Sequence, residues 1–121
     1  MVKVLLDTNI LIDYLNGVEL ARDALTRFDN PAISIITWMD VMVGTNDQNS
    51  AAVEGFLATF DIIHIDAKIA KQATILRKEH KIKLPDAIIW ASAQSTGRLL
   101  VTRNTKDFAS DEIGVVVPYV L

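Results

Sequence analysis

The sequence predicts an α/β fold, a three-layer α/β/α sandwich with a mainly parallel central sheet of four to five strands. Short apolar segments alternate along the 121 residues with longer segments of helical periodicity, the pattern of consecutive βαβ units. The first apolar segment, residues 2–6, is almost continuously hydrophobic, which is typical of a strand buried on both faces. No repeat, linker or low-complexity segment interrupts the chain, so we expect a single domain over residues 1–121.

Five segments have the length and composition of strands. They are residues 2–6, 32–35, 62–65, 99–102 and 115–117. Right-handed crossovers between them would make the strands parallel and place helices on both faces of the sheet. Because the first strand is the most evenly apolar, we expect it in the centre. Its carboxyl end and that of the fourth strand would then lie at one edge, near a topological switch point, where open α/β sheets bind ligands.

Six segments predict helices, beginning near residues 8, 21, 37, 50, 66 and 85. Apolar side chains recur with helical spacing, as they do at Ala21, Leu25 and Phe28. Pro85 suits a first helical position, and Gly97 suits the residue that follows a helix. The connections between strands are therefore predominantly helical.

Composition narrows the class of protein. Half of the residues are hydrophobic and 22% are charged, which excludes a disordered chain. No apolar run approaches the roughly 20 residues of a membrane span, and no secretory signal is present, so we expect no membrane association. The absence of cysteine fits a reducing compartment and predicts a cytoplasmic protein. The high apolar content predicts that part of the protein's apolar surface is buried against a partner, either a second copy in a homodimer or a bound peptide.

Four aspartates lie within or beside otherwise apolar segments: Asp7, Asp40, Asp86 and Asp107. Each has an ordinary structural explanation, since aspartate caps helices, favours their first turn, and occurs in turns and on solvated faces. Together they are harder to explain, because a buried carboxylate without a partner is costly. The alternative is that folding brings them together around a metal ion. Clusters of oxygen ligands suit Mg²⁺ or Mn²⁺, which also bridge to phosphate oxygens.

The net charge of −3 does not exclude a nucleic-acid substrate. Without the four candidate site aspartates, twelve cations face eleven anions. A bound divalent metal would also reverse the sign of the local field. The charge therefore argues against a broad duplex-binding surface, but not against a small metal-dependent site that acts on phosphate.

Four sequence segments carry a resemblance to a known family. They are the strand and acid VLLDTNILIDYL, the helix ITWMDVMVG, the helix start LPDAIIWASA and the strand and loop LLVTRNTKDF. In this order they are similar to the signature segments of PIN-domain proteins, most closely those of VapC-type toxins from bacterial type II toxin–antitoxin pairs. The resemblance extends along the whole chain.

The resemblance implies an endoribonuclease that uses Mg²⁺ or Mn²⁺. Asp7 and Asp86 match the two most dependable metal-binding acids of the family. Asp107, or else Asn104, matches the acid that follows the fourth strand. Asp40 stands where the family usually has glutamate, so its carboxylate reaches roughly one ångström less far, a distance at which site geometry can fail. Either a bridging water or a weak second metal position would follow.

The resemblance also implies roles for the neighbouring polar residues. Thr8, Asn9 and Thr102 match positions that orient the acids by hydrogen bonds, and Asn104 is the remaining candidate for this role. The metal would activate a water for attack on phosphate and offset charge on the leaving oxygen. Cations beside the site loop are candidates for contacts with RNA phosphates, or are ordinary solvated residues: Arg98, Arg103 and Lys106.

Three partners follow from the resemblance: an RNA substrate, a second copy of the chain in a homodimer, and a small antitoxin protein. The C-terminal segment of the antitoxin would lie across the apolar surface of the early helices and cover the acid site. The sequence does not identify the RNA, its cleavage site, the antitoxin or the number of metal ions.

Two alternatives remain open at the level of sequence. One is a receiver-like signalling module with an acidic Mg²⁺ pocket, in which Asp66 would accept a phosphoryl group and Thr102 would be the switch residue. That class requires paired acids after its first strand, whereas Thr8 follows Asp7 here. The other is a PIN-domain binding protein whose catalysis is weakened because Asp40 replaces glutamate.

Overall fold

A computed structural model describes residues 2–109 and 112–121; residues 1, 110 and 111 of the predicted domain lie outside this part. The strands are β1 (Val4–Leu6), β2 (Ala32–Ser34), β3 (Asp61–Ile63), β4 (Leu99–Val101) and β5 (Val115–Val116). The helices are α1 (Thr8–Leu15), α2 (Glu19–Leu25), α3 (Ile35–Val43), α4 (Ser50–Leu57), α5 (Ala67–His80) and α6 (Leu84–Ser95).

The five strands form one parallel sheet in the order β3-β2-β1-β4-β5. The predicted central position of the first strand is therefore confirmed. Leu6 lies opposite Val101 of β4, and the backbone N–H of Asp7 donates to the carbonyl of Val101 at 2.9 Å. Since β2 and β3 extend the sheet in one direction and β4 and β5 in the other, the carboxyl ends of β1 and β4 flank the switch point.

Two apolar cores, one on each face of the sheet, confirm the three-layer architecture. Alternation along β1 divides the side chains, because successive residues of a strand point to opposite faces. Leu5 contributes to the core beneath α5 and α6, whereas Val4 and Leu6 contribute to the core that includes residues of α1, α2 and α4. Helix α3 contributes Ile36 to the first core and Val41 to the second.

Several predicted strand ends were wrong: β1 begins at Val4 rather than at residue 2, and β4 and β5 each end one residue early, at Val101 and Val116. Two further boundaries have a visible cause. Helix α3 begins at Ile35, inside the segment predicted as a strand, because the Ser34 hydroxyl accepts a hydrogen bond from the N–H of Ile36 at 3.1 Å and caps the helix. Strand β3 ends at Ile63, so His64 and Ile65 lie outside the sheet and are exposed. Strand β2 stops early because a capping hydrogen bond begins α3 at once, and β3 stops early because its pairing with β2 ends at Ile63. The apolar residues continue beyond both points.

Helices α5 and α6 form an antiparallel hairpin on one face of the sheet. Near the start of α5, Gln72 donates to Gln94 of α6 at 2.7 Å, and Lys68 donates to the carbonyl of Ser95 at 3.4 Å. At the other end, Lys81 closes α5 in the left-handed conformation, with φ of 56°. The end of α5 therefore lies next to the start of α6. Within the described residues, every helix is too short or too polar to cross a membrane.

Candidate active site

Asp7 immediately follows β1 and is 3% exposed. Its Oδ1 accepts a hydrogen bond from the N–H of Thr8 at 2.7 Å, which caps α1 as the structural explanation anticipated. Its Oδ2 accepts from the hydroxyl of Thr102 at 2.7 Å and from Nδ2 of Asn9 at 3.2 Å. One carboxylate thus caps a helix and is also held, through its second oxygen, at the ends of β1 and β4.

Burial raises the pKa of Asp7, because removing the carboxylate from water penalises its charged form. The hydrogen bonds from Thr102 and Thr8 oppose this shift, since they stabilise the anion. The negative charges of Asp40 and Asp107 raise the pKa further. The acids predicted from three separate segments therefore affect one another in the folded protein.

Asp86 lies in the first turn of α6 and is partly buried. Burial, the charges of Asp7 and Asp107, and a hydrogen bond with the Asp107 side chain together raise its pKa to about 6; Lys83 opposes this shift. The carboxyl groups that follow β1, begin α6 and follow β4 thus form one acidic cluster, which we call the acid site: Asp7, Asp86 and Asp107.

Asn104 supports Asp107 within the loop after β4. Its Nδ2 donates to Oδ2 of Asp107 at 3.0 Å, and its Oδ1 accepts from the N–H of Asp107 at 3.2 Å. The sequence left open which of the two would complete the site. Of the two, it is the Asp107 carboxyl that raises the pKa of Asp86, while the amide of Asn104 fixes the loop.

Asp40 lies on α3 at the margin of the acid site and is exposed. Its Oδ2 accepts a hydrogen bond from the hydroxyl of Thr8 at 3.2 Å, and the Thr8 hydroxyl also lies 3.0 Å from the Thr37 hydroxyl, which can donate to it. Thr37 is fully buried and was not identified from the sequence. Asp40 therefore reaches the site through Thr8 and through its charge effect on Asp7.

The acids do not enclose an ion by themselves. Within residues 2–109 and 112–121, no three acidic or histidine side chains lie close enough together to hold a metal ion as a group. The four carboxylates expected from the sequence to surround one ion are thus not gathered into a closed cup. Mg²⁺ nevertheless fits, because it keeps several waters and needs only one or two carboxylates with substrate phosphates. The donors are oxygens, and a cation would relieve the repulsion that raises the pKa of Asp86.

Thr102 and Asn9 join the two strand ends beneath the acid site. The Thr102 hydroxyl donates to Asp7 and accepts from the N–H of Asn104 at 3.0 Å. Oδ1 of Asn9 accepts from the N–H of Arg103 at 3.2 Å, while its Nδ2 donates to Asp7. The supporting residues predicted from the sequence are therefore in hydrogen-bonding contact with the acids or with the loop that carries them.

A partly buried ion pair beside the site was not identified from the sequence. Asp13 accepts hydrogen bonds from Nε and Nη2 of Arg103 at 2.6 and 2.9 Å, and from the Tyr119 hydroxyl at 2.7 Å. Burial opposes ionisation of Asp13, but the bonds from Arg103 and Tyr119 outweigh it and lower the pKa of Asp13. The available signal was an acid between Ile12 and Tyr14 in an otherwise apolar helix.

The predicted phosphate-contacting cations have different environments. The guanidinium of Arg103 is bound to Asp13, so its charge is already paired within the chain. Arg98 precedes β4, at the edge of the sheet opposite the acids, and lies 4.0 Å from Asp61. Lys106 is exposed in the loop after β4 and stays a candidate.

Asp66, the phosphoryl acceptor required by the signalling alternative, has a structural role. Its Oδ1 accepts from the N–H of Ile69 at 2.8 Å and caps α5. The shifts in pKa that mark the acid site involve other carboxylates. The geometry therefore gives no support to a receiver-like site at Asp66.

Known proteins share this fold and sequence pattern. The PIN domain family matches residues 4–110. A solved chain from a toxin–antitoxin complex of Klebsiella pneumoniae is 49% identical, with a TM-score of 0.93 and coverage of 98% of this chain and 99% of that one. The tRNA(fMet)-specific endonuclease VapC of Shigella flexneri is 30% identical over 120 residues, covering 89% of this chain and 91% of the relative. Ribonuclease VapC10 of Mycobacterium tuberculosis is 32% identical over 113 residues, covering 87% and 85%.

Proposed function

This chain belongs to the PIN-domain family, and from that premise we propose that it is a divalent-metal-dependent endoribonuclease, the toxin of a toxin–antitoxin pair. The observation that carries the proposal is the acid site. Asp7, Asp86 and Asp107 come from distant parts of the sequence, yet Asp107 raises the pKa of Asp7, and both Asp7 and Asp107 raise the pKa of Asp86. A group of carboxylates that raise one another's pKa has a functional explanation if a cation binds there.

In this proposal Asp7, Asp86 and Asp107 hold Mg²⁺ or Mn²⁺, and Asp40 acts from the margin through a bridging water. When bound, such an ion would polarise a phosphate oxygen and lower the pKa of a water bound to the ion. Thr102 and Asn9 orient the Asp7 carboxylate by hydrogen bonds.

The test is cleavage of RNA by the purified protein. We expect bulk tRNA to be cut in the presence of Mg²⁺ or Mn²⁺, and cleavage to stop when a chelator is added. Asp7→Asn and Asp86→Asn should each abolish it, because each change removes an anionic ligand. Asp23→Asn is the matched control, since it alters the charge equally at an exposed position of α2.

Cleavage that continues in excess chelator would contradict the metal dependence. Protein that binds RNA but cleaves none with either metal would support the alternative of a catalytically weakened PIN domain. Because the control changes the same charge, loss of cleavage in Asp23→Asn as well would indicate an effect of net charge rather than of the acid site.

We further propose that an antitoxin segment docks on the apolar surface formed by the early helices. A groove of about 330 Å³ is lined by side chains that include Tyr14, Leu25, Phe56 and Phe60. The Tyr14 and Phe56 rings stack with centroids 4.9 Å apart, which gives the groove an aromatic wall. The related Klebsiella chain comes from a toxin–antitoxin complex.

The homodimer is also a proposal. On α3, Val43 is 85% exposed and Met39 is 43% exposed, so this helix presents apolar surface to solvent. Burying such side chains against a second copy is favourable. Sedimentation of the purified chain should show a dimer, and a stable monomer at micromolar concentration would contradict this proposal.

A further inference from the structure

The positive charge of this acidic chain is concentrated in one segment. Six of its twelve lysines and arginines lie between residues 68 and 83, where Glu79 is the only acid. All six are exposed, and five of them are lysines: Lys68, Lys71, Lys78, Lys81 and Lys83. We call these five lysines the α5 basic face. Since the rest of the chain has an excess of acids, this face is the main cationic surface of the protein.

Helical spacing places the first three lysines of this face on one side of α5. Lys68, Lys71 and Lys78 occur at positions i, i+3 and i+10, which share a face of a helix with 3.6 residues per turn. Lys68 and Lys71 line a shallow depression of about 410 Å³ with residues at the end of α6. Lys78 and Lys81 line a second depression, of about 460 Å³, which Leu84 of α6 also borders.

The α5 basic face leads to the acid site. Lys81 and Lys83 lie in the turn that joins α5 to α6, and α6 carries Asp86 in its first turn. Lys83 is the N-cap residue of α6, three residues before Asp86, so the end of the face adjoins the acid site. Helix α5 has 14 residues and is about 21 Å long, a length that spans several phosphates of a nucleic-acid strand.

Two of the three cations predicted to contact phosphate are already engaged within the chain. Arg103 is bound to Asp13, and Arg98 lies against Asp61 at the other edge of the sheet. Within residues 2–109 and 112–121, by contrast, the lysines of the α5 basic face form no ion pair with an acid. Their ammonium groups are available to an external anion.

We propose that the α5 basic face binds the phosphodiester backbone of the RNA substrate and directs the strand to the acid site. The inference rests on the proposed function. It adds a surface that binds the part of the RNA lying beyond the cleaved bond. Lysine is a point charge on a flexible stem and lacks the planar fork of arginine. The face therefore binds phosphates irrespective of base sequence, and any sequence preference arises elsewhere.

The experiment measures RNA binding separately from cleavage. The 121-residue chain with Asp7→Asn, which we expect not to cut, is titrated with a fluorescein-labelled single-stranded RNA of 20 nucleotides at several KCl concentrations. Replacing Lys68, Lys71 and Lys78 by glutamine should reduce the slope of log affinity against log salt by about 2. The reason is that a protein with fewer phosphate contacts releases fewer counterions from the RNA when it binds. Binding at low salt should weaken about tenfold or more.

In the chain with Asp7 intact, the same triple change should raise KM for bulk tRNA and leave kcat nearly unchanged, since it removes binding that is equal in the ground and transition states. The matched control replaces Lys3, Arg22 and Arg27 by glutamine. These three cations are exposed outside the α5 basic face, so the net charge changes equally. We expect the control to retain both the salt slope and KM.

An equal loss of slope in both triple variants, or a loss in neither, would overturn the proposal. Loss of binding to phosphatidylserine vesicles with RNA binding intact would overturn it in favour of a membrane surface. If the wild-type chain cuts no RNA but only the α5 triple variant loses RNA binding, the proposed nuclease activity is refuted. The proposal that the α5 basic face binds RNA would still be supported. Thermal unfolding of each variant verifies that the fold is retained.

Discussion

Arg103 and Asp13 form a two-pronged ion pair, with Nε to Oδ2 at 2.6 Å and Nη2 to Oδ1 at 2.9 Å. This contact joins α1 to the loop after β4. The backbone N–H of the same arginine donates to Asn9, whose side chain donates to Asp7. The pair therefore fixes the position of the loop and, through Asn9, one of the supports of the acid site.

Asp13→Asn should destabilise the protein by about 2 kcal/mol, because it leaves a partly buried guanidinium without its carboxylate. It should also weaken Mn²⁺ binding, measured by calorimetry, by about tenfold through the altered support of Asp7. Tyr119→Phe is the milder comparison, since it removes one hydrogen bond to the same carboxylate and should cost about 1 kcal/mol. Unchanged Mn²⁺ affinity in Asp13→Asn would restrict the pair to a structural role.

Without divalent metal, the protein should be more stable near pH 5 than near pH 7.5. The pKa of Asp86 is raised from 3.8 to about 6 in the folded chain, so its contribution is fully present below about pH 4 and is lost as the pH rises through 6. The raised pKa of Asp7 acts in the same direction. The lowered pKa of Asp13 acts oppositely, but its stabilisation is lost only as the pH falls below the ordinary range of a carboxyl group.

Thermal unfolding in a chelator would measure this difference, which should be a few degrees. Asp86→Asn should reduce the difference in unfolding temperature between pH 5 and pH 7.5. Asp23→Asn, at an exposed position of α2, should leave that difference unchanged. Millimolar Mg²⁺ should also reduce it, because the ion stabilises the charged carboxylates at neutral pH. A protein that becomes steadily more stable from pH 5 to 7.5 in chelator would contradict the raised pKa values.

Asp40→Glu should increase metal affinity and the rate of RNA cleavage several-fold. The longer side chain would bring its carboxylate roughly one ångström nearer to the acid site, enough to replace a bridging water. Asp40→Asn is the comparison that removes the charge without lengthening the side chain, and it should lower the rate. A rate for Asp40→Glu below that of the unaltered chain would mean that the contact from Thr8 to Asp40 already defines the working geometry.

Thr102→Val should lower metal affinity by roughly 10- to 100-fold, the range for loss of a residue that orients a ligand. Thr102 is fully buried, and its hydroxyl contacts Oδ2 of Asp7 at 2.7 Å, so valine would leave that oxygen without its shortest hydrogen bond. Thr102→Ser keeps the hydroxyl and should retain most of the affinity. Equal losses in both variants would indicate that packing of the methyl group matters more than the hydrogen bond.

The sequence was sufficient to predict most of the architecture because the signals were local. An apolar run in β1 indicated a central strand, and the alternation of strands and helices indicated a parallel sheet with two covered faces. Prediction from the sequence fails at Ser34, where a single capping hydrogen bond starts α3 earlier than the apolar pattern suggests. Strand and helix ends depend on individual hydrogen bonds, which composition does not reveal.

The sequence by itself determined four candidate site acids, because Asp7, Asp40, Asp86 and Asp107 each lie within or beside an apolar segment. Only the tertiary structure decided how these groups meet and which cations remain free. Arg103 has the same charge as any other arginine in the sequence, but the fold places Asp13, 90 residues away, against its guanidinium. Contacts between distant residues depend on how the strands and helices pack, and a linear pattern of residue types does not contain that information.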